Sequence, residues 1–224
     1  MSRLSINQTA IDTVIFDFDG TLAKLNIDFD GMRRAVSELV SRYGVDHQVL
    51  QNRFVLEMIN EAEALLQKSS HQQSDAFTGD AYRIIEGIEV EAARRGELFS
   101  ETKHLLSVLK ERSLRAGIIT RNCVQAVHTV FPDIASYCAV VVCRDDVQHV
   151  KPHPEQLTRA LSLLDSSPTQ AIMIGDHPLD IETGRNAGTL AAGVLTGHFS
   201  TDDFIRAGAD IILPKASDLL KLLV

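Results

Sequence analysis

The sequence predicts an α/β fold: a doubly wound, parallel-sheet core with a small all-α cap domain inserted after the first strand. Three observations predict it. Short, continuous apolar runs recur along the 224 residues, as strands buried on both faces require. Amphipathic helical stretches alternate with those runs, and that alternation calls for parallel strands covered on both sides. Residues 23–96 break the pattern and show helical periodicity alone.

The first strand is read at Thr13 to Phe16, where an apolar, β-branched run stops at Asp-Phe-Asp-Gly-Thr, a turn-forming sequence. The helical stretch follows. One face carries Phe29, Met32, Val36, Leu39, Val40 and Tyr43, and a second carries Phe54, Val55, Met58, Ile59, Ala62, Leu65 and Leu66. The polar run Ser69 to Asp75 is expected to connect these to a third face around Ile84, Ile85 and Ile88. An insert at this point belongs at the carboxyl edge of an open α/β sheet, where such folds bind ligands, so it reads as a lid. The expected domains are 1–22 with 97–224 for the core and 23–96 for the insert.

Beyond the insert, Ser100 is expected to cap a helix whose inner face holds Leu105, Leu106 and Leu109. Strands are then expected at Ala116 to Ile119 and Ala139 to Val142. Pro154 opens a helix with Leu157, Leu161 and Leu164 on one face. Ala171 to Ile174, Ala191 to Leu195 and Asp210 to Leu213 complete the strands.

Composition narrows the possible roles. A hydrophobic fraction of 45% supports one substantial core with room for an appended domain. The net charge of −8, without a long basic run, lacks the footprint of a nucleic-acid-binding surface. No segment approaches the roughly 20 apolar residues that cross a bilayer, so no membrane partner and a cytoplasmic location are expected. The three cysteines, Cys123, Cys138 and Cys143, are odd in number and read as reduced thiols.

Asp17 and Asp19 stand two residues apart at the end of a buried strand, so a regular strand would project both from one face beyond its carboxyl end. Unit charges about 4 Å apart repel by roughly 4 kcal/mol at an effective dielectric of 20, so the pair calls for a proton or a cation between them. Read alone, Asp-Gly-Thr is equally a simple turn. Thr120, Arg121 and Asn122 end the next core strand with a hydroxyl and the start of a helix, able to hold phosphate oxygens or merely to cap. Lys151 precedes a rigid Pro-His-Pro segment that can hold its ammonium near the sheet edge, although a surface lysine is the plainer reading. Asp176 ends another strand, and Asp180 follows four residues later. Magnesium favours oxygen ligands and one or two carboxylates, which suits Asp17 and Asp176. Together the set offers a nucleophile, an acid/base, a cation site and a phosphate clamp, as phosphoryl transfer requires.

These residues resemble the four motifs of the haloacid dehalogenase superfamily: DFDGT from Asp17 to Thr21, a second ending in Thr120, a third at Lys151, and GDHPLD running into IETGRNAG up to Gly188. The resemblance spans the whole Rossmann-like core. It implies a magnesium-dependent phosphatase acting on a small phosphorylated metabolite through an aspartyl-phosphate, working as a monomer or homodimer. Asp17 would attack phosphorus, and Asp19 would protonate the leaving oxygen and then activate water. Thr120 and Lys151 would hold the phosphoryl group. Asp176 and the Asp19 carbonyl would join Asp17 around Mg2+, with Gly20 and Thr21 supporting the turn and Asp180 supporting Lys151 or a metal-bound water. The insert is similar to the helical cap of the phosphoglycolate phosphatase-like branch, expected to open and close over substrate.

Two departures qualify the resemblance. His177 stands where relatives often have Ser, and Arg121-Asn122 stands where phosphoglycolate phosphatases usually read Asn-Lys. A phosphosugar mutase or other phosphotransferase is the alternative, although the mutase histidine has no counterpart between Ala23 and Asp28. Arg33 and Arg34 are candidates to meet an anionic leaving group. Asp145 and Asp146 are expected to brace the third-motif loop or cap its helix. His149 and His153 are set aside as metal ligands, because Pro152 and Pro154 prevent a helical i,i+4 pair.

Overall fold

The computed structural model describes residues 4–51 and 54–223. The chain divides into two compact units, one made of Met1–Leu25 with Gly96–Val224 and the other of Asn26–Arg95.

The first unit is built on six parallel strands: β1 (Thr13–Phe16), β2 (Arg115–Ile119), β3 (Val140–Val142), β4 (Ala171–Gly175), β5 (Leu190–Val194) and β6 (Ile211–Leu213). Their order across the sheet is β6-β5-β4-β1-β2-β3, so the chain runs outward from a central β1 in both directions. All four residues of β1 and all five of β4 are buried, as the continuous apolar runs predict for strands covered on both faces. On one side Ile15, Ile119, Val142 and Met173 pack with Leu157, Ala160 and Leu161. The order places the ends of β1, β2 and β4 side by side, and Asp17 N–H continues the ladder by donating to Ile174 O at 2.8 Å.

The second unit holds α1 (Phe29–Arg42), α2 (Val55–Gln67) and α3 (His71–Arg95). Met32, Val36, Leu39 and Val40 of α1 are buried, as are Met58, Ile59, Ala62 and Leu66 of α2, in the helical rhythm of the sequence. Phe29 faces solvent instead. The polar run read as a connection is mostly helix, since α3 begins at His71, where Ser70 Oγ accepts the Gln73 N–H at 3.3 Å and so caps the new turn. The inner face of α3 is Ser74, Phe77, Ala81 and Ile85 rather than Ile84 and Ile88. Tyr43 packs edge-on against Phe77 and donates to Asp80.

The remaining helices are α4 (Thr102–Glu111), α5 (Val124–Val130), α6 (Glu155–Leu163), α7 (Pro178–Ala187) and α8 (Thr201–Ala207). Ser100 does not cap α4: its hydroxyl donates to Glu101 Oε2 at 2.8 Å, and Glu101 occupies the cap position without a side-chain bond. Among the described residues no helix is long and apolar enough to cross a membrane.

Candidate active site

β1 ends in Asp17, held almost out of solvent, and the Lys151 ammonium reaches it from the loop before α6. Lys151 Nζ lies 2.5 Å from Asp17 Oδ1 and 2.6 Å from Asp180 Oδ1, and all three side chains are nearly buried. Asp180 Oδ2 accepts the His177 N–H at 3.1 Å, so this carboxylate is tied to the ammonium through one oxygen and to the start of α7 through the other. Asp180 is thus in direct contact with Lys151.

Asp176, one residue past β4, faces the same space. A carboxylate oxygen from each of Asp17, Asp176 and Asp180 lies within 4.8 Å of the other two. Thr21 Oγ1 is 3.4 Å from Asp176 Oδ1, and a Cβ at Gly20 or Gly197 would overlap the Asp176 carboxylate. Gly20, at φ +85°, also turns the chain away from β1 as few other residues could. Its carbonyl accepts the Thr196 hydroxyl at 2.5 Å.

Burial pushes the Asp17 carboxyl up to about 7, against the pull of the Lys151 charge. Burial, with the neighbouring Asp17 and Asp180 charges, pushes Asp176 up to about 8. Burial opposes the Lys151 ammonium, but the charges of Asp17 and Asp180 outweigh it and hold the lysine protonated. Ionised together, the three carboxylates outnumber the one ammonium, and a cation among these oxygen donors would remove the repulsion that raises Asp17 and Asp176. That donor set fits a hard divalent cation such as Mg2+ and offers nothing to a soft one.

Asp19 is not one of these three carboxylates, although its charge acts on Asp176. Asp19 Oδ1 accepts the Leu25 N–H at 2.8 Å, which fixes the carboxylate two residues beyond the nucleophile candidate. At the end of β2, Thr120 is buried, and its Oγ1 accepts the Asn122 N–H at 3.2 Å. Two of the N–H groups here already have partners: Asn122 N–H donates to Thr120 Oγ1, and Val124 N–H, at the start of α5, to Asp145 Oδ2 at 3.3 Å. Arg121 Nη1 donates to the Lys151 carbonyl at 2.7 Å and so braces the lysine loop. Asp146 Oδ2 accepts the Cys143 N–H at 2.8 Å, and with Asp145 it braces this edge of the sheet.

His177 caps α7, with its Nδ1 accepting the Leu179 N–H at 3.0 Å and its ring edge-on to Phe199. Burial lowers its pKa, so at neutral pH the ring adds no positive charge to the site. Gln156 was not foreseen from sequence. It is fully buried, donates to the Thr120 carbonyl at 2.7 Å and accepts the Lys151 N–H at 3.1 Å, locking the phosphate-clamp candidates to each other. A polar residue beside Leu157 on the inner face of α6 was the available signal. Thr196 and Gly197, in the loop after β5, carried no comparable signal.

The family model of haloacid dehalogenase-like hydrolases matches residues 14–194. The chain belongs to that family. Among curated proteins, the pyrophosphatase PpaX of Bacillus cereus is 33% identical over 95% of this chain and 96% of its own length. Among solved structures, a hydrolase from Pseudomonas syringae matches with a TM-score of 0.66 at 21% identity, covering 94% of this chain and 96% of that one. A protein described as a predicted phosphoglycolate phosphatase from Haemophilus somnus matches with a TM-score of 0.64 at 16% identity over 95% and 97%. These two share the fold. The matched residues include Asp17, Lys151, Asp176 and Asp180.

Proposed function

We propose that this hydrolase is a magnesium-dependent phosphatase that removes the phosphoryl group from a small phosphorylated metabolite through an aspartyl-phosphate on Asp17. The observation that carries the reading is the buried contact of Lys151 with both Asp17 and Asp180, beside Asp176, at the carboxyl ends of β1 and β4. A strand-end carboxylate held against an ammonium is aimed at one point and costs little to orient further.

A bound Mg2+ would sit among Asp17, Asp176 and the Asp19 carbonyl, and would supply positive charge against both the carboxylates and the phosphoryl oxygens. In the chemical step an Asp17 oxygen forms a bond to phosphorus as the ester P–O bond breaks, and Asp19 gives its proton to the leaving oxygen. Asp19 then takes a proton from water, whose oxygen attacks phosphorus and frees the Asp17 carboxylate and inorganic phosphate. The Thr120 hydroxyl, whose oxygen accepts from Asn122, keeps its own proton to donate to the phosphoryl group, and Lys151 offsets its charge.

The identity to PpaX over nearly the full length favours inorganic pyrophosphate among the substrates. Its second phosphate would serve as the leaving group in the same step. The test is phosphate release with Mg2+ from a panel of phosphorylated metabolites and pyrophosphate. Asp17→Asn is expected to lower kcat by about 10⁴-fold or more while the fold is kept. Undiminished release by that variant would overturn the assignment of Asp17, and the order of kcat/KM across the panel ranks the substrates.

A further inference from the structure

One group of metal-binding side chains lies outside the acidic cluster and has no part in the proposed reaction. His149, His153 and Glu155 occupy the loop that carries Lys151 and the first residue of α6, and one ligand atom from each lies within 4.8 Å of the other two. His149 Nδ1 is 2.9 Å and His153 Nδ1 4.0 Å from the same oxygen, Glu155 Oε2. The two imidazole rings stand 4.6 Å apart between centres, inclined by 36°. Both histidines are exposed, in contrast to the buried lysine between them.

The prolines do prevent a helical i,i+4 pair, as the sequence argument holds, yet the rings meet by another route. His153 N–H donates to the Val150 carbonyl at 3.0 Å, closing a turn around Lys151 and Pro152 that brings His149 and His153 to the same side. The carboxylate is fixed before any ligand arrives: Glu155 Oε1 accepts the Gln148 N–H and Oε2 the His149 N–H, each at 3.0 Å. The Glu155 N–H points at His153 Nδ1 from 3.3 Å, which marks that nitrogen as the one bearing the lone pair.

We propose that His149, His153 and Glu155 form a surface site for one divalent ion of the zinc class, separate from the hard-cation site. Two imidazoles and a carboxylate suit borderline metals such as Zn2+, and they are a poor set for Mg2+. Tetrahedral bonds of 2.0–2.2 Å put ligand atoms about 3.3–3.5 Å apart. The His149–Glu155 pair, hydrogen-bonded at 2.9 Å, opens by about 0.5 Å as the ion replaces that bond, and the His153–Glu155 distance of 4.0 Å closes by less than about 1 Å through rotation of exposed rings. Water completes the coordination. The bound ion ties together residues on both sides of Lys151 and so stiffens the loop that presents the ammonium.

The test is calorimetric titration of the chelator-stripped protein with Zn2+ in excess Mg2+, alongside thermal unfolding. One Zn2+ per chain is expected, with a rise in Tm, and both are expected to persist in Asp176→Asn, which disables the acidic cluster. His149→Gln and His153→Gln, which change exposed side chains and leave the far-ultraviolet spectrum intact, should each weaken binding by at least about 10-fold and remove the rise in Tm. Zinc binding of parental strength in both histidine variants, or none in the parent, would overturn the proposal.

Discussion

At the carboxyl edge of the sheet, three carboxylates and an ammonium are packed together largely out of solvent. In the helical unit Asn26–Arg95, Arg34 and Arg42 lie on the outside instead, lining a groove along α1 with the half-buried Arg33 and with His47. Arg34 is mostly exposed, and its carboxylate partner, Asp28, is 3.8 Å away. Buried charges must meet partners at hydrogen-bond distance or lose several kcal/mol each, so the chain has little choice about where they stand. Solvated charges carry no such obligation. The first region is thus held by its polar contacts, and the second by the apolar faces of α1, α2 and α3.

Lys151→Met is the most damaging way to probe that difference, because it leaves Asp17 and Asp180 buried without their shared cation. A loss of about 3–5 kcal/mol is expected in urea unfolding of the metal-free protein at pH 8. A loss below about 1 kcal/mol would mean that water already solvates the cluster. In the helical unit the comparable blow is apolar: Ile59→Ala empties a fully buried position on α2 and should cost about 2–4 kcal/mol in the same measurement.

Proton linkage gives a gentler probe. Folding raises the Asp17 and Asp176 carboxyls from the ordinary 3.8 to about 7 and about 8, so between pH 4 and 8 the folded chain binds more protons than the unfolded one. Stability of the metal-free protein should therefore fall as pH rises through that window, by roughly 1 kcal/mol per pH unit for Asp17 alone. Saturating Mg2+ should flatten the slope, and a slope unaltered by Mg2+ would place the cation elsewhere. The smallest change belongs to the groove, where Arg34→Gln should stay within about 0.5 kcal/mol of the parent.

The same contrast explains what could be read from sequence. Asp17, Asp176 and Asp180 stood out because each follows a strand or opens a helix where the parallel sheet brings strand ends together, whereas Lys151, in a loop, stood out through the Pro-His-Pro segment after it and the family resemblance. The apolar runs gave all six strands of that sheet to within a residue or two of their ends. Gln156 and the Thr196–Gly197 loop were not legible, since their role depends on which backbone groups tertiary packing leaves needing a partner. The start of α3 was misread because a polar run at a helix N-terminus resembles a loop until Ser70 is seen to cap it. His149 and His153 were set aside by a helical argument that holds for a helix and does not apply to the turn this loop makes.

In the proposed reaction Asp17 is the residue that carries the phosphoryl group. The most direct measurement is a rapid acid quench during turnover of the preferred substrate, followed by peptide mapping by mass. A phosphoryl adduct on the peptide containing Asp17, absent in Asp17→Asn and longer-lived in Asp19→Asn, is the predicted result. Full turnover by Asp17→Asn, or an adduct on a different residue, would contradict it.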